Sequence, residues 1–260
     1  MAVPAMRCDR WPDRMRHHHV RRWAGLIGAL APCLAAAQLL VPPLAPLAGS
    51  PGSLPPAPWV LAKLPAQTLP VTRFQLAPLD GGVVLRIQAV ASYGNLVHPL
   101  KDGAAGRLAW RWRVDQPLAA ADLRSRQGDD VALKVCALFD MPRAAVPFLE
   151  RQLLRLAESR TGERLPSATV CYVWDPSWPE GTVVPNAYTR RVRYLTLGTA
   201  VRSWQAVQRD LAADFLRAFG DETTSVPPLL AIAVGADADN TGGDSLGFIT
   251  DLALTPRAER

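Results

Sequence analysis

The sequence is short of histidine, lysine and glutamate, and each shortage narrows what the chain can do. Of its 4 histidines, His17, His18 and His19 stand together near the N-terminus, and only His98 lies further on. A zinc or iron centre built from several histidines is thereby excluded from the body of the protein. A Ser-His-Asp triad would have to use His98, which precedes Pro99 in an expected loop and has no accompanying G-x-S-x-G turn. Lys63, Lys101 and Lys134 are the only lysines, and arginine supplies the rest of the positive charge. The six glutamates fall in expected helices, loops or the C-terminal tail, which leaves no paired-glutamate site. The net charge of +6 is concentrated in residues 1–37, which hold six arginines and two aspartates. The remainder is close to neutral, which argues against nucleic acid as a partner, since that requires a basic stripe over phosphates.

What is present describes a folded, β-rich chain. With 260 residues, 49% of them hydrophobic and 20% charged, it can bury a sizeable core. The first segment ends in Val20-Arg21-Arg22, followed by the apolar run WAGLIGALAPCLAAAQ over residues 23–38. A basic flank, a short apolar core and small residues at Ala35 and Ala37 are the pattern of a secretory signal, with cleavage expected after Ala37 and an exported, periplasmic product. The alternative is an uncleaved anchor in the inner membrane; Pro32 and the shortness of the run argue against a stable span. Lipid attachment at Cys33 is disfavoured by Pro32 in front of it. Residues 38–58 are too rich in proline for helix or ladder and read as a linker, so the domain is expected over residues 59–256.

Within that domain strands dominate. Leu79-Asp80-Gly81-Gly82 lies between two β-rich runs and predicts a hairpin. In RLAWRWRVD, Leu108, Trp110, Trp112 and Val114 share one face and Arg111 and Arg113 lie on the other. Val131, Leu133, Val135, Ala137 and Phe139 align in the same way. A helix is expected from Val146 to Ser159, with Phe148, Leu149, Leu153 and Leu156 as its apolar face and Arg151, Arg155 and Glu158 in water. A second is expected from Ser203, its cap, to Gly220, its stop. About eight strands and two helical insertions without β-α-β alternation predict one antiparallel two-layer β-sandwich, jelly-roll-like.

The ordered series W-R-W-R-V at 110–114, G-D-D at 128–130, F-D at 139–140, Y-V-W-D at 172–175, R-D at 209–210, D-F at 214–215, F-G at 219–220 and D-x-D-N-T-G at 237–242 resembles the bacterial domain-of-unknown-function family 3047. The resemblance covers roughly Trp59 to Leu254 and implies an exported β-rich domain with no established activity. Gly235-Ala236 departs from it by lacking a polar lead-in to Asp237.

Four groups of residues could carry chemistry. Asp237, Asp239, Thr241 and Asp244 space their oxygens as a calcium loop does, but Phe248 stands where an EF-hand needs glutamate, so the alternatives are a different calcium site or plain turn chemistry. Asp129 and Asp130 follow Gly128 at a strand mouth, where sandwich loops gather, and could meet the 237–244 loop as ligand or acid/base groups. Trp178 in a loop could stack on a sugar ring, or pack over the sandwich edge, while Arg111 and Arg113 could form a cationic strip, or a solvated face. Cys136 and Cys171 occupy matching places in two strands and would form a disulfide if those strands are neighbours. The reading that follows is non-enzymatic binding of a carbohydrate or envelope component, with calcium as a candidate cofactor. The alternatives are a carbohydrate-active lyase or hydrolase using the loop aspartates, and a structural envelope protein without a ligand.

Overall fold

Alternation of apolar residues builds two sheets that face each other. A computed structural model describes residues 40–64, 67–162, 164–198 and 200–257. The expected leader, with Cys33 and the cleavage point after Ala37, lies outside the described residues. In chain order the strands are β1 (Val60–Ala62), β2 (Arg73–Leu79), β3 (Gly82–Val90), β4 (Tyr93–Gly103), β5 (Arg107–Gln116) and β6 (Val131–Phe139). After helix α1 (Phe148–Thr161) come β7 (Ala168–Trp174), β8 (Val183–Pro185), β9 (Val192–Leu197) and β10 (Gln205–Asp210). Helix α2 (Leu211–Phe219), β11 (Leu229–Asp237) and β12 (Asp244–Thr255) complete the domain.

The seven-stranded sheet runs β1-β4-β11-β6-β7-β9-β8 and the five-stranded sheet runs β10-β5-β12-β3-β2. This is the β-sandwich with two helical insertions that the pattern predicts. Its ladders are antiparallel except for β7 beside β9, whose long connection carries β8 to the sheet edge. Leu108, Trp110, Trp112 and Val114 point between the sheets and are all but inaccessible. There they meet Leu133, Val135, Ala137 and Tyr172, with the two indoles edge to face at 5.6 Å. Asp80 (φ 51°) and Gly81 (φ 80°) form the two-residue turn of the β2–β3 hairpin, where two positive φ values match the twist of the strands.

Four local expectations are corrected. His98-Pro99 lies inside β4 rather than in a loop; a register shift in β11 opposite Pro99 accommodates the residue that cannot donate. His98 is not poised for catalysis, because Nε2 accepts the Ala45 amide at 2.9 Å, Nδ1 sits 3.0 Å from the Pro99 carbonyl and Trp59 packs edge-on against the ring. The second helix starts at Leu211, capped by the Asp210 carboxylate rather than by Ser203. Residues 205–210 instead extend the five-stranded sheet as β10, because Gln205, Val207 and Arg209 alternate as well as they fit a helix and β5 offers an open edge. On α1 the apolar face is reversed: Phe148, Leu149, Leu153 and Leu156 are exposed and Leu154 is buried. Ion pairs from Glu150 to Arg191 and from Glu158 to Arg143 hold the opposite side of that helix inward.

Burial lowers the pKa of His98 from the ordinary histidine value, and the contact with Ala45 requires the unprotonated nitrogen. Stability from this contact is therefore present above the unfolded pKa and lost as pH falls through the lowered folded value. His98→Gln keeps an acceptor that does not titrate. The wild-type melting midpoint, relative to this variant, is expected to fall between about pH 7 and about pH 5; a difference independent of pH contradicts the assignment.

Candidate functional site

The face of the seven-stranded sheet that turns away from its partner sheet is covered by a second apolar cluster. Cys136, Cys171, Tyr194 and Ala233 contribute to it, with Val97, Leu138 and Val192 packed alongside. These residues form the floor of a groove of about 690 Å³. Central strand β11 keeps the floor low by presenting Ala233 and Gly235 to it. A Cβ at Gly235 would come within 2.4 Å of Asn95 Oδ1 and 2.8 Å of the Gly94 carbonyl, so no larger residue fits. Cys136 and Cys171 are directly opposed in the β6–β7 ladder and joined as a disulfide with sulfurs 2.06 Å apart.

One end of the groove is polar. On β6, Lys134 is the single charged residue in a strand otherwise buried on both faces, and its ammonium lies 2.9 Å from Asp237 Oδ2. The other oxygen of Asp237 accepts the Val131 amide at 3.0 Å. Burial works against the Lys134 charge, but the Asp237 carboxylate together with Tyr93 and Asp129 outweighs it and raises the pKa above the ordinary lysine value. Burial likewise pushes the Asp237 carboxyl up, with Lys134 pulling it partway back.

Asp129 faces the same cavity. Its carboxylate accepts hydrogen bonds from Tyr194 Oη, at 3.1 Å, and from Asn186 Nδ2. Burial is the main reason its pKa is pushed up to about 6, reinforced by the charge of Asp237 and opposed by these hydrogen bonds. Asp239 also lines the groove, and burial followed by the charges of Asp237 and Asp130 raises its pKa. Its Oδ1 is buried without a hydrogen-bond partner among the described residues. Tyr188 joins Asn240 Oδ1 at 2.7 Å and the Arg126 carbonyl at 3.1 Å, which ties the rim loop to the 238–243 turn.

The model of the family described as protein of unknown function (DUF3047) matches residues 57–253. The chain belongs to the DUF3047 family. No curated protein sequence matches it. Among solved structures it is similar to the xyloglucanase domain of NopAA, a type three effector from Sinorhizobium fredii in complex with cellobiose. That match has 8% identity and a TM-score of 0.38 over 76% of this chain and 98% of that one. Endoglucanase 3 of Trichoderma harzianum, from family GH12, matches at 9% identity and TM-score 0.38 over 76% and 97% of the two chains. The catalytic domain of Humicola grisea Cel12A in complex with a thio cellotetraose matches at 12% identity and TM-score 0.37 over 74% and 87%.

In this DUF3047 chain the expected site residues separate into two groups. Asp129, Asp237 and Asp239 converge on the groove. Asp130 does not: its oxygens are taken by the backbone amides of Asn240 and Thr241 and by Asn240 Nδ2, so it braces the turn. Of the calcium set Asp237, Asp239, Thr241 and Asp244, the first two line the groove. Asp237 is committed to Lys134, and among the described residues no three His, Cys, Asp or Glu side chains gather to hold a metal. Trp178 packs, half-buried, on the outer apolar cluster instead of standing free. Arg111 and Arg113 lie on the far side of the sandwich, away from the groove, where Asp251 (3.6 Å) and Asp115 (2.6 Å) partner them.

Lys134, Tyr194, Asn186 and Tyr188 were not expected at the site. A lone lysine in the apolar run DVALKVCALFD is a signal that was there to be used; Asn186 and Tyr188 sit in a loop whose composition says nothing of their partners. Lys134→Met strands the Asp237 charge and is expected to cost about 3–5 kcal/mol in denaturant unfolding, most of it recovered when Asp237→Leu is added. A loss below about 1 kcal/mol for the single variant would mean that the pair is solvated.

Proposed function

We propose that the groove on the outer face of the seven-stranded sheet binds a carbohydrate, an envelope glycan being the class that also suits the expected export. The observation that carries this is the two-part lining of one cavity. An apolar floor of Val97, Leu138, Val192 and the disulfide adjoins a polar end of Asp129, Lys134, Asn186, Tyr194, Asp239 and Asn240. Sugars have the matching character: C–H faces that pack on apolar and aromatic surface, and hydroxyl edges that pair with amides and carboxylates. Tyr93 and Tyr188 supply aromatic surface at the walls. The volume falls within the range usual for small-ligand sites. The cleft that Asp129 and Asp239 line favours a ligand over a purely structural role.

One observation favours hydrolysis in the same groove. With a pKa of about 6, Asp129 keeps a share of its protons near neutral pH. It could then protonate a glycosidic oxygen while Asp239 activates water.

Calorimetric titration with a panel of neutral and acidic oligosaccharides tests the proposal. At least one is expected to bind, and Asn186→Ala or Tyr188→Ala to weaken it roughly tenfold, the scale of one lost hydrogen bond to a polar ligand. Folded protein that binds none of the panel, or variants that bind as the wild type does, would overturn it. Release of reducing ends that Asp129→Asn abolishes would move the reading from binding to catalysis.

A further inference from the structure

Helix α1 presents its apolar residues outward. Phe148, Leu149, Leu153 and Leu156 are 63%, 75%, 60% and 48% exposed, which gathers four of the large exposed hydrophobic residues on one helix. Leu149, Leu153 and Leu156 follow the i, i+4, i+7 spacing of a single stripe about 10 Å long on a helix of 14 residues. Charge on this helix is sorted as well. Both of its glutamates turn to the body, Glu150 toward Arg191 at 3.5 Å and Glu158 to Arg143. Arg155 and Arg160 remain exposed beside the stripe, so the outward face carries cations and no carboxylate.

We propose that this face docks on an anionic lipid surface. A helix with leucines on one stripe and arginines beside them lies in the plane of a bilayer interface, its apolar side in the acyl boundary and its cations at the headgroups. Each arginine near such a surface strengthens partitioning by roughly fivefold. Among the described residues no helix is long and apolar enough to cross a membrane, so the contact is one of lying on the surface. A protein partner of neutral or basic chemistry would not account for the sorting of charge. Leu165 and Pro166, which follow the helix, line the groove, so docking holds that end of the groove beside the lipid. The inference rests on α1 alone and stands whether or not the groove binds a glycan.

Co-sedimentation of the full chain with vesicles tests it, comparing phosphatidylglycerol-rich with pure phosphatidylcholine vesicles. The wild type is expected to partition at least about tenfold more strongly onto the anionic vesicles, and less strongly as salt rises. Leu149→Ser with Leu153→Ser, and separately Arg155→Glu with Arg160→Glu, are expected to lower that binding at least about tenfold without changing the melting midpoint, because all four positions are exposed. Val83→Ser with Val90→Ser, exposed apolar positions on β3, is expected to bind as the wild type does. Equal binding to both vesicle types, or α1 variants that bind as the wild type does, would overturn the proposal. So would a dimer that Leu153→Ser dissolves in the absence of vesicle binding.

Discussion

Asp237 ends strand β11 with its carboxylate buried between the Lys134 ammonium and the Val131 amide, and the groove is arranged around that contact. It ties the two central strands of the seven-stranded sheet together on the face that lacks a partner sheet. A charge so placed survives only while it is paired, which makes the contact a constraint on the neighbouring strands. It also sets the field in which Asp129 and Asp239 titrate, since Asp237 raises both of their pKa values. Burial and charge thus act together to hold protons on carboxylates that face the cavity.

The rest of the domain supplies the rigid frame for this arrangement. The inward face of the same sheet is closed by Trp110 and Trp112, so lysine and aspartate on its other face are mounted on strands that cannot shift without disturbing the core. Asp130 fixes the 238–243 turn through three hydrogen bonds, and Tyr188 reaches across to that turn from the opposite rim. Polar contacts between distant parts of the chain hold the mouth of the groove in shape. The outward stripe of α1 has no role in this frame, which is why a separate partner is assigned to it.

Much of the sandwich was legible because period-two alternation is a local property. The inward stripe of β5 and the Asp80-Gly81 turn follow from residues read in short windows, whereas Cys136 and Cys171 pair because β6 and β7 lie side by side. The nearness of Asp129 and Asp130 to the 237–244 loop followed from the tendency of sandwich loops to gather at one end. What local pattern could not carry depended on distant partners. Spacing within residues 237–244 does not reveal that Lys134, 103 positions away, pairs with Asp237. The α1 stripe satisfied helical periodicity, but Arg143 and Arg191 decide which side faces inward. Residues 205–210 fitted a helix and a strand equally well, and the open edge of β5 settled the choice.

The central claim is that Asp129 is a partly protonated carboxyl inside a ligand groove. Carbon-13 NMR of its carboxyl carbon, followed against pH with and without added oligosaccharide, tests that claim most directly. The account predicts a midpoint near 6 in the free protein and a displaced midpoint when sugar occupies the groove. An ordinary aspartate midpoint near about 4, unmoved by every oligosaccharide, would contradict both the burial of the group and its place in a binding site.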